Sequence, residues 1–289
     1  MSTAILSILS GIAGMFGWGI YDFLGGVYTK QIGPFKSFFW SQLAGLISTL
    51  LLIFVFTISL DVPILAIILI PIASIFYSAG YLYFFKGFEI GNVSIVAATM
   101  NLWAVFTMLF AYIFMGQRLS TIQSLGVLMI ISGVTLASIN WSDIGNQGFQ
   151  LSSGVKETVL GAFFFGVFWN ISEVISEEIG WLSTTLFVKF GIILFLLLFS
   201  FLIKRELDLT KAATKTKYMV VLMGIIEAGA VGIVNYGLTI GDAILITPIA
   251  SALSIVTITL AIIFLKDKVT KLQVLGIITA IAGIIVTAF

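Results

Sequence analysis

The chain has 289 residues, 60% of them hydrophobic and 9% charged, with a formal net charge of +1. A mean hydropathy of +1.19 leaves too little polar surface for a soluble domain of this size and fits a polytopic membrane protein. Cysteine and histidine are both absent, which excludes disulfides, thiolate catalysis and the commonest metal ligand and general base. No metal set or cofactor motif is expected, and no basic stretch has the density of a nucleic-acid footprint.

Lipid cannot satisfy open backbone groups, so apolar runs of about 20 residues read as spanning helices. Such runs predict a first set of helices at 4–28, 35–58, 64–86, 91–114 and 122–139. A second set is predicted at 156–177, 182–203, 218–239, 242–265 and 271–288. The N-terminal run lacks a charged leader region and outlasts a signal-peptide core, so it reads as a retained span. The polar stretch 142–154 separates the sets, giving a first unit 1–141 and a second unit 155–289.

In chain order, helix one carries Gly14, Trp18, Tyr21, Asp22 and Gly25 on one stripe. Small residues there permit close helix approach, and Trp18, Tyr21 and Asp22 are expected to face a cavity. Helix three adds Tyr77 and Tyr81, and helix four adds Asn101 and Trp103. Helix six carries Trp169, Asn170 and Glu173, and helix seven carries Lys189. Glu173 and Lys189 flank the loop between their helices, so an ion pair between them is expected. Helix eight holds Glu227 near its middle and Asn235 beyond it. A carboxylate at that depth costs roughly 2.5–3.5 kcal/mol on insertion scales, and intramembrane acids usually serve a polar pathway. Glu227 is therefore the leading candidate for binding a substrate amine or carrying a proton. Helix nine contributes Thr247-Pro248 and Ser251, where proline frees a backbone carbonyl.

The halves repeat. At an offset of 150, Gly87 matches Gly237, Gly91 matches Gly241, Thr107 matches Thr257, Gln123 matches Gln273, and Gly126 and Gly133 match Gly276 and Gly283. At an offset of 147, Gly14, Phe16, Gly19 and Gly33 match Gly161, Phe163, Gly166 and Gly180. These offsets pair Tyr77 with Glu227, Asn101 with Ser251, and Gln42 with Lys189. Five helices is an odd number, so the second copy enters from the opposite side. The expected fold is an all-α integral membrane protein of ten transmembrane helices in two inverted repeats, an architecture whose substrate site lies between the repeats near the midplane. The paired glycines are expected to pack helices within the bundle or between protomers.

The repeated ends run from Phe114 to Val134 and from Phe264 to Ile284. Each has a polar pair followed by a glycine-rich helix, and each resembles the end of an EamA-type repeat of the drug/metabolite transporter superfamily. The usual acidic position is Gln117 in the first half and Asp267 in the second, while Arg118 and Lys268 keep the basic position. The resemblance implies a secondary transporter of small organic metabolites whose cavity is lined by helices one, three, four, six, eight and nine. It implies a small-molecule substrate, an amino acid or a drug-like solute, no enzymatic activity, and a monomer or homodimer in the cell membrane. An intramembrane enzyme on a lipid-linked substrate and a channel are the alternatives. Every Lys and Arg except Lys189 and Arg118 lies in or beside the loops after odd-numbered helices. The positive-inside rule then sets both termini outside, whereas the resemblance implies cytoplasmic termini.

Overall fold

The computed structural model describes residues 3–56, 58, 62–91, 96, 99–138, 153–265 and 271–287, without the side chains of 4, 134, 265 and 273. Asp61, most of the 142–154 connection, and the Asp267-Lys268 pair lie outside the described residues.

The first half comprises α1 (Thr3–Ile32), α2 (Pro34–Leu52), α3 (Ile64–Ile90), α4 (Leu102–Phe114) and α5 (Thr121–Ser138). The second comprises α6 (Val155–Ile179), α7 (Trp181–Leu202), α8 (Thr214–Leu238), α9 and α10 (Lys271–Thr287). Helix α9 runs over Ala243–Ser251, resumes over Leu253–Leu260 and ends in a π turn, Ala261–Leu265. Helix α2 stops six residues short of its predicted end, because residues 53–55 turn back on the i−3 carbonyls. Among the described residues, seven helices are long and apolar enough to cross a membrane, while α4, α5 and α10 supply shorter apolar stretches.

The turns repeat as the sequence does. Gly33 links α1 to α2 with φ 85° and ψ 157°, and its counterpart Gly180 links α6 to α7 with φ 80° and ψ 160°. Side chains rarely adopt that backbone region, which explains glycine at both places. Pro34 then supplies a preset first helical residue for α2.

Packing follows the same duplication. Helix α1 lies along α8, and its counterpart α6 lies along α3. Likewise α1 meets α9 as α6 meets α4, and α2 meets α8 as α7 meets α3. The two fifth helices pack on each other. A Cβ on Gly126 would sit 2.8 Å from Gly283 O, and one on Gly133 would sit 2.6 Å from Gly276 O. Gly126 thus faces Gly283 rather than its own counterpart, so α5 and α10 run antiparallel. The seven-residue glycine pairs pack helices within this chain, by the close backbone approach that small residues allow.

Apolar side chains cover the outside. Phe54, Phe201, Leu128 and Ile263 are exposed, while Asp22, Gln42, Glu173, Lys189 and Glu227 are buried. That inversion of the soluble pattern suits a bundle solvated by lipid.

Candidate functional site

Four helices meet at one buried polar node. Lys189 Nζ on α7 lies 2.5 Å from Glu227 Oε2 on α8 and donates to Gln42 Oε1 on α2 at 3.0 Å. The Tyr77 hydroxyl on α3 donates to the other carboxylate oxygen, Glu227 Oε1. Glycine makes the room. A Cβ on Gly45 would lie 3.2 Å from Lys189 Nζ, and one on Gly224 would lie 2.0 Å from Ser41 O. The two carboxylate oxygens are both engaged, as a buried charge requires. Tyr21 sits beside the node, its hydroxyl 3.2 Å from Ser41 Oγ.

Tyr77 separates this node from a central cavity of about 30 Å³, the space of one water. Trp18 and Asp22 of α1, Tyr77 and Tyr81 of α3, and Trp103 and Trp169 of α4 and α6 line it. The remaining lining is Phe84, Met100, Phe165 and Leu253. The three indoles enclose one another, with centroids 5.1 Å apart for Trp18–Trp169, 6.0 Å for Trp103–Trp169 and 6.1 Å for Trp18–Trp103. Tyr81 stands edge-on to Tyr21 at 5.5 Å and to Phe165 at 4.7 Å. Asp22, one turn beyond Trp18, is the only lining residue with a formal charge.

Two helices are interrupted at corresponding points beside this cavity. Helix α4 starts after a turn at Asn101, where Ala104 N donates to Asn101 O, and α9 breaks at Ala252, where Ile255 N donates to Ala252 O. Pro248 removes a helical donor one turn before the second break. The breaks touch, since Asn101 Nδ2 donates to Ser254 Oγ at 3.1 Å. Interrupted helices at matching positions of two repeats are where such folds bind solutes.

The other expected site residues divide. Trp18, Asp22, Tyr77, Tyr81 and Trp169 line the cavity; Tyr21, Asn101, Asn170, Asn235, Ser251 and Glu227 do not. Asn170 donates to Thr107 O and Gly166 O, which leaves its Oδ1 buried and unpartnered. Asn235 is satisfied by Ser172 and Thr185 and ties α8 to α6 and α7. Ser251 bonds within its own helix, to Pro248 O.

The expected Glu173–Lys189 ion pair is not formed. Lys189 is taken by Glu227, and Glu173 Oε1 instead accepts from Gln117 Nε2 at 2.7 Å and from Ala243 N, the first residue of α9, at 3.1 Å. Gln117 Oε1 accepts from Ile244 N at 3.1 Å. Free helix N-terminal donors attract a carboxylate more than a distant lysine does. Sequence reading missed Gln117 as a structural residue and Phe84, Met100, Phe165 and Leu253 as cavity walls. Ordinary apolar residues in an apolar chain carry no signal for such a role.

A solved structure titled "Crystal structure of protein" matches with a TM-score of 0.77 at 16% identity, over 97% of this chain and 95% of that one, which shows a shared fold. No curated protein matches the sequence. The model of the EamA-like transporter family matches twice, over residues 5–139 and 152–289. With both halves covered and the helices doubled in the same order, this multi-pass membrane chain belongs to the EamA-like transporter family.

Proposed function

We propose that this protein is a secondary transporter that moves a small organic solute, an amino acid or a drug-like molecule, across the cell membrane by alternating access. The proposed architecture is ten spans in two inverted five-helix units, with α4, α5 and α10 completing the set. The antiparallel glycine contact of α5 with α10 supports inversion, since counterpart helices pointing in opposite directions require it.

The observation that carries the reading is the cavity itself. It lies between the two units, is bounded by both interrupted helices, and has a volume of about 30 Å³. A solute enters only when the units rock apart, which is the motion alternating access demands. Asp22 at the wall and Glu227 behind Tyr77 are the two acids available to a proton or a solute amine. One chain contains both units, so a monomer suffices.

The test is counterflow. Purified protein in liposomes preloaded with a mixture of amino acids and organic amines should show saturable exchange of a labelled solute. Exchange that rises linearly with concentration, or no exchange of any solute, would overturn the transporter reading.

A further inference from the structure

The cavity wall has an unbalanced chemistry. Asp22 carries its only formal charge. Among the described residues no cation lies within ion-pair distance of Asp22. Lys189, the buried lysine of α7, is held at the polar node by Glu227 at 2.5 Å and Gln42 at 3.0 Å. Tyr77 directs its hydroxyl at Glu227, away from any guest. What remains for a guest is one carboxylate, three indoles in mutual contact, and neutral donors only, the Tyr81 hydroxyl and the indole N–H groups, of which Trp18 Nε1 is buried without a partner.

Each type of guest meets this wall differently. Aromatic rings present negative faces, which attract an ammonium and stack on a flat ring. A guest carboxylate would bring a second negative charge next to Asp22, and only neutral donors could replace its lost hydration. A zwitterionic amino acid carries that penalty along with its favourable ammonium.

We propose that the cavity receives an aromatic monoammonium ion that lacks a carboxylate, with Asp22 as its counter-charge and Trp18, Trp103 and Trp169 as its stacking faces. The proposal rests on the transporter reading for what binding accomplishes, but the binding can be measured apart from transport. It narrows the solute from amino acids and drug-like molecules to arylalkylamines and their relatives.

Three probes that share a phenylalkyl skeleton separate the cases: 2-phenylethylamine, phenylalanine and 3-phenylpropionate. Thermal shift and tryptophan fluorescence of the purified full-length protein would report binding at neutral pH. Phenylethylamine should bind at least tenfold more tightly than either other probe, and Asp22→Asn should reduce that preference at least tenfold. Trp103→Leu, which leaves the charge in place, should weaken phenylethylamine binding and keep the ranking of the probes. Equal or tighter binding of phenylalanine or phenylpropionate to the wild-type protein would overturn the proposal even if Asp22→Asn failed to fold. So would absence of phenylethylamine binding. Saturable counterflow of a different solute would leave the transporter reading standing in either event.

Discussion

At the residue scale, Glu227 and Lys189 must be judged together. Two buried charges in contact, each with a further hydrogen bond, are far less costly than either alone. Glu227→Gln leaves the Lys189 ammonium buried without its counter-charge, and a loss of about 3–5 kcal/mol is expected. The double variant Lys189→Met/Glu227→Gln should recover most of it. Unfolding in mixed detergent with increasing denaturant would check this, and a double variant as unstable as the single would show that the pair is not coupled. Position 117 tells a related story. The family's usual acid is replaced by Gln117, whose amide nitrogen donates to Glu173 at 2.7 Å. A carboxylate at 117 would oppose that of Glu173, so the neutral amide suits this contact. Much of this was legible beforehand: an acid in mid-span marked Glu227, and Trp18, Asp22, Tyr77, Tyr81 and Trp169 all reach the cavity wall. The partner of Lys189 was not legible. Proximity along the chain favoured Glu173, whereas helix packing brings α8 closer and the free N–H of Ala243 claims Glu173.

At the scale of helices, glycine has two opposite roles. A Cβ on Gly133 would lie 2.5 Å from Ala280 N, a backbone atom that cannot swing aside. Gly133→Val should therefore force α5 from α10 and cost about 1–3 kcal/mol, as overpacking does. Gly229 on α8 has nothing within 4 Å of such a Cβ. Gly229→Ala should be neutral or add up to about 1 kcal/mol through helix propensity. The melting temperature in detergent should fall for Gly133→Val and hold or rise for Gly229→Ala, and a stable Gly133→Val protein would mean that the α5–α10 contact can be dispensed with. The sequence offset revealed these glycines as repeats. It left open whether they met each other or another protomer, because spacing on one helix does not name the facing helix. Helix lengths were less legible. Turns such as residues 53–55 use the same apolar residues as the span before them, so hydropathy alone extends α2 too far.

At the scale of the whole molecule, contacts tie the lysine-bearing segments at the α1–α2 and α7–α8 connections into one end. Lys36 at the start of α2 donates to Asp208 O in the α7–α8 segment at 2.9 Å, and Trp40 Nε1 donates to Leu207 O at 2.7 Å. Gln31 accepts from Thr216, binding the end of α1 to the start of α8 at that same end. The other end holds Arg118 with Glu173, Glu177 and Asp242. The positive-inside rule predicts that the lysine-rich end faces the cytoplasm, against the orientation the family resemblance implies. The protein has no native cysteine, so single cysteines can report sides directly. Lys36→Cys should react with an impermeant maleimide only after permeabilisation, and Arg118→Cys should react in intact cells. The reverse pattern would return the termini to the cytoplasm.

Tyr77 touches Glu227, and Gln42 touches Lys189. Each contact joins a residue to its own duplicate in the other half, so both lie on the line about which the halves exchange. In a pair of identical halves each such position would face its twin, glutamate against glutamate and lysine against lysine. Tyr77 and Gln42 stand there instead, so the centre buries two formal charges rather than four, and the two are paired with each other.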